Sequence, residues 1–112
     1  MSQRGETMIW VAQRATAVVL ALCVLVHLAT IVYAVRGGLT APEILGRTRG
    51  SVAWASFYSI FVIAIAIHGA IGLRGVAAEW LGFRGKAAEF VMAAVGFALA
   101  FMGLRAVVAV FG

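Results

Sequence analysis

The chain has 112 residues, of which 64% are hydrophobic and only 12% charged. A soluble domain carries about 25% charged residues, so these proportions exclude a water-soluble globule and predict a membrane protein. The net charge of +5 does not point to nucleic acid. The nine basic residues flank or interrupt apolar runs and form no stripe interleaved with aromatics, the pattern a membrane surface selects.

In chain order, the N-terminal stretch "MSQRGETMIWVAQR" mixes charge with Trp10, an interfacial anchor. Ala15 to Val35 then carry no formal charge. A spanning helix needs about 20 mostly apolar residues, each rising ~1.5 Å, so a first span is expected over about residues 9–35. "VYA" at 32–34 loosely suits a signal peptidase, but the apolar stretch is too long for a signal peptide's core of roughly 7–15 residues. Cys23, the sole cysteine, lies in this span and reads as a small buried hydrophobe.

The joint "RGGLTAPEILGRTRG" (36–50) contains Thr40 and Glu43 at capping-box spacing, with Pro42 in the first turn. A short helical turn at the membrane surface is expected there. Ser51 to Leu73 are again free of formal charge, and a second span is expected over 51–75. The joint 74–89 offers Trp80 and Phe83 to the interface. A third span, over 87–111, includes Arg105, which must snorkel or face a partner. The expected fold is therefore all-α: one membrane domain, residues 1–112, of three transmembrane helices. Three helices bury little of one another, so a larger bundle with a second membrane subunit is expected. Basic residues divide five to four between the two faces, a weak orientation signal placing the N-terminus inside.

Both histidines, His27 and His68, fall inside spans, where an ionisable group is a functional hypothesis by default. Taking Arg14 and Arg74 as markers of one membrane face, helix rise puts His27 ~20 Å deep and His68 ~9 Å deep. A difference of ~10 Å keeps them from sharing one metal. Gly72, four residues after His68, lies on its helical face, and Gly69 and Gly75 are near it. A smooth face beside a histidine admits a flat macrocycle such as haem, or another helix. A neutral histidine hydrogen-bonded to a neighbouring helix fits the same pattern. Gln13, Arg14 and Arg74 could form a polar pocket at the surface, suited to a haem propionate or a quinone carbonyl, and ordinary snorkelling also accounts for the arginines. Ser56, Tyr58 and Ser59 read as helix-packing hydroxyls.

"VAQRATAVVLAL" (11–22) resembles the "HRxSGxxL" start of the first helix in cytochrome b subunits of succinate dehydrogenases, and "HGAIGLRG" (68–75) is similar to their second-helix motif His-x-x-x-Gly-Ile/Leu-Arg. "TAPE" in the first joint looks like their "SPE" loop. The resemblance covers Trp10 to about Trp80. It implies that His68 is an axial ligand of haem b, that Arg74 and Arg14 lie near the propionates, and that Arg14 also borders the quinone pocket. Trp10 stands where the family has a quinone-binding serine, and Gln13 where it has a histidine. Single-haem members lack a histidine at the depth of His27; two-haem relatives carry one there for a distal haem. The resemblance thus favours two haem b groups, completed by the second membrane subunit, over a single one, and implies a quinone partner, ubiquinone or menaquinone, with either succinate oxidation or fumarate reduction as the direction. It also implies an iron–sulfur subunit docked on the face bearing Arg14 and Arg74, and a flavoprotein subunit performing the dicarboxylate chemistry. The expected location is the bacterial inner (cytoplasmic) membrane, with the N-terminus cytoplasmic. An anchor of another quinone-linked dehydrogenase, or a haem-free structural membrane protein, are the competing readings.

Overall fold

The computed structural model describes residues 2–112. Its helices are α1 (Gln3–Gly37), α2 (Ala41–Thr48), α3 (Val52–Leu81) and α4 (Lys86–Phe111). The three long ones are each apolar and long enough to cross a membrane.

The first span begins six residues before the expected start. Ser2 caps it, its Oγ accepting from the Gly5 amide at 3.1 Å, and Glu6 favours the positive end of the helix dipole. At 35 residues α1 measures ~52 Å along its axis, well beyond the ~30 Å hydrocarbon core. Its charged first turns, with Arg4 and Glu6, therefore project past the lipid. The second span also overruns expectation, continuing through Gly75 to Leu81. It stops where Gly82 turns left-handed (φ 66°) and the Phe83 amide reaches back to the Ala77 carbonyl at 3.1 Å. Gly75 looked like part of a joint, but nothing there supplies a left-handed residue.

The short helix α2 has the expected capping box between Thr40 and Glu43, with proline in its first turn. It lies across the end of the bundle. Thr48 Oγ1 donates to the Val110 carbonyl at 2.9 Å, and the Gly50 amide donates to the Phe111 carbonyl at 2.8 Å. These bonds satisfy carbonyls that the end of α4 leaves without helical partners.

α3 is the central helix, packed by α1 on one side and α4 on the other. Small residues dominate what is buried: Ala64, Ala66 and Ala77 of α3, Ala88 of α4 and Cys23 of α1. Large apolar side chains such as Leu22, Leu25, Phe97 and Phe101 point outward. That inversion suits lipid or a partner helix, and the chain is a multi-pass membrane protein. α3 and α4 approach closely through Gly96, packed against Ala70, and Gly103, packed against Val62. Glycines one heptad apart make the smooth strip that close helix contact in a membrane requires.

Candidate functional site

The polar residues of α1 are not scattered around it. Gln13, Thr16, His27 and Thr30 share one face with Ile9, Leu20, Cys23 and Ala34, at spacings of three and four. That spacing forms a single helical stripe, and it is the stripe turned to α3. The opposite face of α1 carries Val18, Leu22, Leu25 and Val32, all exposed.

Three contacts set the register between α1 and α3. Gln13 lies beside Gly72, Thr16 Oγ1 lies 3.2 Å from His68 Nδ1, and Tyr58 OH lies 3.4 Å from His27 Nδ1. The His27 ring also meets Tyr58 and Phe61 edge-on, with centroids 5.7 and 5.5 Å apart. Both histidines therefore belong to the same seam, at opposite ends of it. Eleven residues of α1 separate Thr16 from His27, and ten of α3 separate Tyr58 from His68, which is ~15 Å by helix rise. The expected ~10 Å was too small. Arg14 and Arg74 do not mark one plane: with Gln13 opposite Gly72, Arg74 lies about one turn farther out. Among the described residues there is no cluster of three or more metal-ligating side chains, so each level receives a single histidine from this chain.

The Thr16 hydroxyl has one proton, and its shortest contact is to the Ala12 carbonyl at 2.7 Å. It therefore accepts from His68, which places the imidazole proton on Nδ1. That leaves the Nε2 lone pair free, the form in which a histidine ligates a metal.

Two cavities flank the seam. One, of ≈ 780 Å³, lies toward the N-terminal end and is lined by Trp10, Gln13, Gly72, Arg74, Glu6 and Glu79, among others. Gln13 Oε1 is buried without a hydrogen-bond partner, an acceptor that polar satisfaction requires something else to meet. The other, of ≈ 730 Å³, lies toward α2 and is lined by His27, Thr30, Tyr33, Arg47, Trp54 and Tyr58 with apolar neighbours.

A family model, the succinate dehydrogenase/fumarate reductase transmembrane subunit, matches residues 1–110. The chain belongs to that family. It is thus a membrane subunit of a redox enzyme complex, the succinate:quinone oxidoreductase. No curated protein and no solved structure gives a match.

Within this family member, the residues singled out from sequence separate into groups. Trp10, Gln13, Gly72 and Arg74 come together around one cavity. Arg14 does not line it; its guanidinium stacks over Trp10, 5.1 Å from the ring centroid. Arg74 is engaged by Glu6 of α1 and Glu89 of α4, both at 3.4 Å from the same nitrogen. These pairs are partly exposed and individually weak, but they cross-link three helices. Gly69 does not share the His68 face; it meets Leu99 of α4. Gly75 has open space beside it and lines the N-terminal cavity. Sequence reasoning missed Thr16, Tyr58 as a histidine partner, Arg47, and the two carboxylates on Arg74. Thr16 was discoverable, three residues after Gln13 on the same stripe. Arg47 was not, because nothing in its spacing predicts that its side chain reaches back to Tyr33 of α1.

The fit to haem rests on donor chemistry. His68 offers a free Nε2 with its other nitrogen anchored, and His27 offers an imidazole at the edge of a largely apolar cavity with a cation, Arg47, on its wall. The donor chemistry of both suits an axial-ligand role, and of the two only His27 lines one of the cavities described.

Proposed function

We propose that this chain is the haem-binding, quinone-binding anchor of its complex. His68 and His27 each supply one axial ligand, to two haem b groups at different depths, and a second membrane subunit supplies the others. Bound there, haem contributes a one-electron redox centre inside the low-dielectric layer. The observation that carries the reading is the seam itself. It places both intramembrane histidines between α1 and α3, ~15 Å apart by helix rise, and His68 has its tautomer set by Thr16.

The chain's own residues do the positioning. Gly72 lets the Gln13 amide of α1 pack close to the α3 backbone one turn from His68. Gln13 and Trp10, in the N-terminal cavity, receive the quinone ring, ubiquinone or menaquinone. Gln13 Nε2 donates to a quinone carbonyl, and Arg14, stacked on Trp10, supplies positive charge at the mouth for quinone or propionate. Arg74, held by Glu6 and Glu89, ties the three helices together at this face, where the iron–sulfur subunit docks and links to the flavoprotein. The face with Arg14 and Arg74 is then cytoplasmic, in a bacterial inner membrane.

The test is a reduced-minus-oxidised spectrum of the purified complex, with its subunits identified. The reading requires b-type absorbance, and a flavoprotein partner that oxidises succinate or reduces fumarate. Haem with a different flavoprotein partner would assign the anchor to another quinone-linked dehydrogenase. No b-type band at all would leave the histidines with a packing role.

A further inference from the structure

Arg105 is the one formal charge between Glu89 and the end of α4, and six apolar residues, Ala106 to Phe111, follow it. The segment after α2 marks the membrane surface at this end: the Gly50 amide, next to Arg49, donates to the Phe111 carbonyl at 2.8 Å. Helix rise therefore puts Arg105 ~9 Å inside that level. Its guanidinium does not turn outward toward the headgroups. It lies over the ring of Phe101, one turn deeper, 5.9 Å from the centroid. Helix geometry accounts for this. Side chains lean toward the N-terminus of their helix, so a cation in the last turns of α4 leans into the bilayer.

The cation stands on the face that α3 leaves bare. Gly103 turns toward Val62 of α3. Two residues on, at ~100° per residue, Arg105 points the opposite way and is exposed. Phe90, Phe97, Phe101 and Val108 form an exposed ridge beside it, at spacings of seven, four and seven, a single helical stripe. Such a ridge suits lipid as well as protein and by itself selects no occupant. Arg105 does select one. Among the described residues no carboxylate pairs with it, and acyl chains offer none. An intramembrane cation is costly unless an opposite charge meets it. A second copy of this chain has no acidic side chain at that depth. Glu6, Glu79 and Glu89 lie at the other end of the bundle, and Glu43 sits on the surface helix α2 in the Thr40 capping box. The counter-charge must come from a different chain.

We propose that the outward face of α4 docks a transmembrane helix of the second membrane subunit, and that Arg105 pairs there with a carboxylate on that helix. The inference rests on the reading that the complex holds such a subunit, and it is independent of haem. The contact is separate from the α1–α3 seam, because α4 turns this face away from α3. Phe101 holds the guanidinium against its ring and so fixes the depth at which the carboxylate is met. The ridge on either side supplies the apolar contact area, with aromatic side chains as its anchors.

Photo-cross-linking in the intact complex tests this. With p-benzoylphenylalanine in place of Phe101, irradiation followed by mass spectrometry is expected to join this chain to the second membrane subunit, on a transmembrane segment that carries Asp or Glu. Attachment to phospholipid alone, to a second copy of this chain, or to a segment without an acidic residue overturns the proposal. Dissociation supplies the second measurement. R105Q strands the partner's carboxylate, so the second membrane subunit is expected to leave the detergent-solubilised complex about tenfold faster, while R105K stays near the wild-type rate. Equal retention in R105Q and wild type overturns the pairing. Should R105Q fail to assemble, the cross-link, made with Arg105 in place, decides. A purified complex whose sole membrane subunit is this chain overturns instead the reading on which the proposal rests.

Discussion

The hydroxyl of Thr16 sits 3.2 Å from Nδ1 of His68 and donates its own proton in a hydrogen bond to the Ala12 carbonyl at 2.7 Å. One turn of α1 thus favours one tautomer of a residue on α3. Partners of this kind typically change metal affinity by about 10–100-fold when removed. Thr16→Val keeps the shape and deletes the acceptor. It is expected to weaken haem retention at the His68 level within that range, read as haem lost to an apoprotein acceptor. A less basic imidazole also favours the reduced iron, so the potential of that haem should rise. Thr16→Ser should restore both. Unchanged retention and potential in Thr16→Val would refute the assignment.

Separation along the seam makes the two histidines independent. At ~15 Å by helix rise, neither imidazole can substitute for the other. His27→Ala and His68→Ala are each expected to remove one of two haems, leaving half the b-type absorbance per assembled complex. Pyridine haemochrome quantification against the flavin content measures this. Loss of all haem from either variant, with every subunit still present, contradicts the two-level arrangement.

How much of this was legible beforehand follows from the physics of each feature. Uninterrupted apolar runs announce spans because the bilayer demands them, and the Thr40–Glu43 box announces α2 because capping is local. The span ends were less legible: Ser2 acts through a side-chain cap and Gly82 through a left-handed backbone, both outside the apolar runs. His27 and His68 stood out as ionisable groups among apolar neighbours. Their partners did not, because Thr16 and Tyr58 become partners only once the α1–α3 register is known. The same register moved Gly69 off the histidine face and corrected the depth difference. The close-packing glycines of α4, Gly96 and Gly103, have no titratable residue beside them to mark them in the sequence.

Gln13 separates quinone binding from stability. Its Oε1 is buried and unpartnered, so Gln13→Leu removes an unsatisfied acceptor rather than a made bond, and assembly should be unaffected. The amide's contribution to a quinone carbonyl is about 0.5–1.5 kcal/mol. That corresponds to a two- to tenfold rise in KM for quinone, while turnover with a water-soluble artificial acceptor stays at the wild-type level. Equal effects on both acceptors would place Gln13 outside the quinone site.

Gly103 tests the α3–α4 contact. A methyl group there would overlap the isopropyl group of Val62. Alanine gains about 1 kcal/mol over glycine in helix propensity, while overpacking costs about 1–3 kcal/mol. Because Val62 sits on the central helix, between α1 and α4, it has little room to retreat, and the overlap should win. Gly103→Ala is expected to lower the midpoint of thermal dissociation of the complex. Val62→Ala alone opens a small cavity and lowers it too. Combined, the two changes should cost less than their sum, a coupling of the size seen for residues in contact. Strict additivity would mean that α3 and α4 do not meet at this pair.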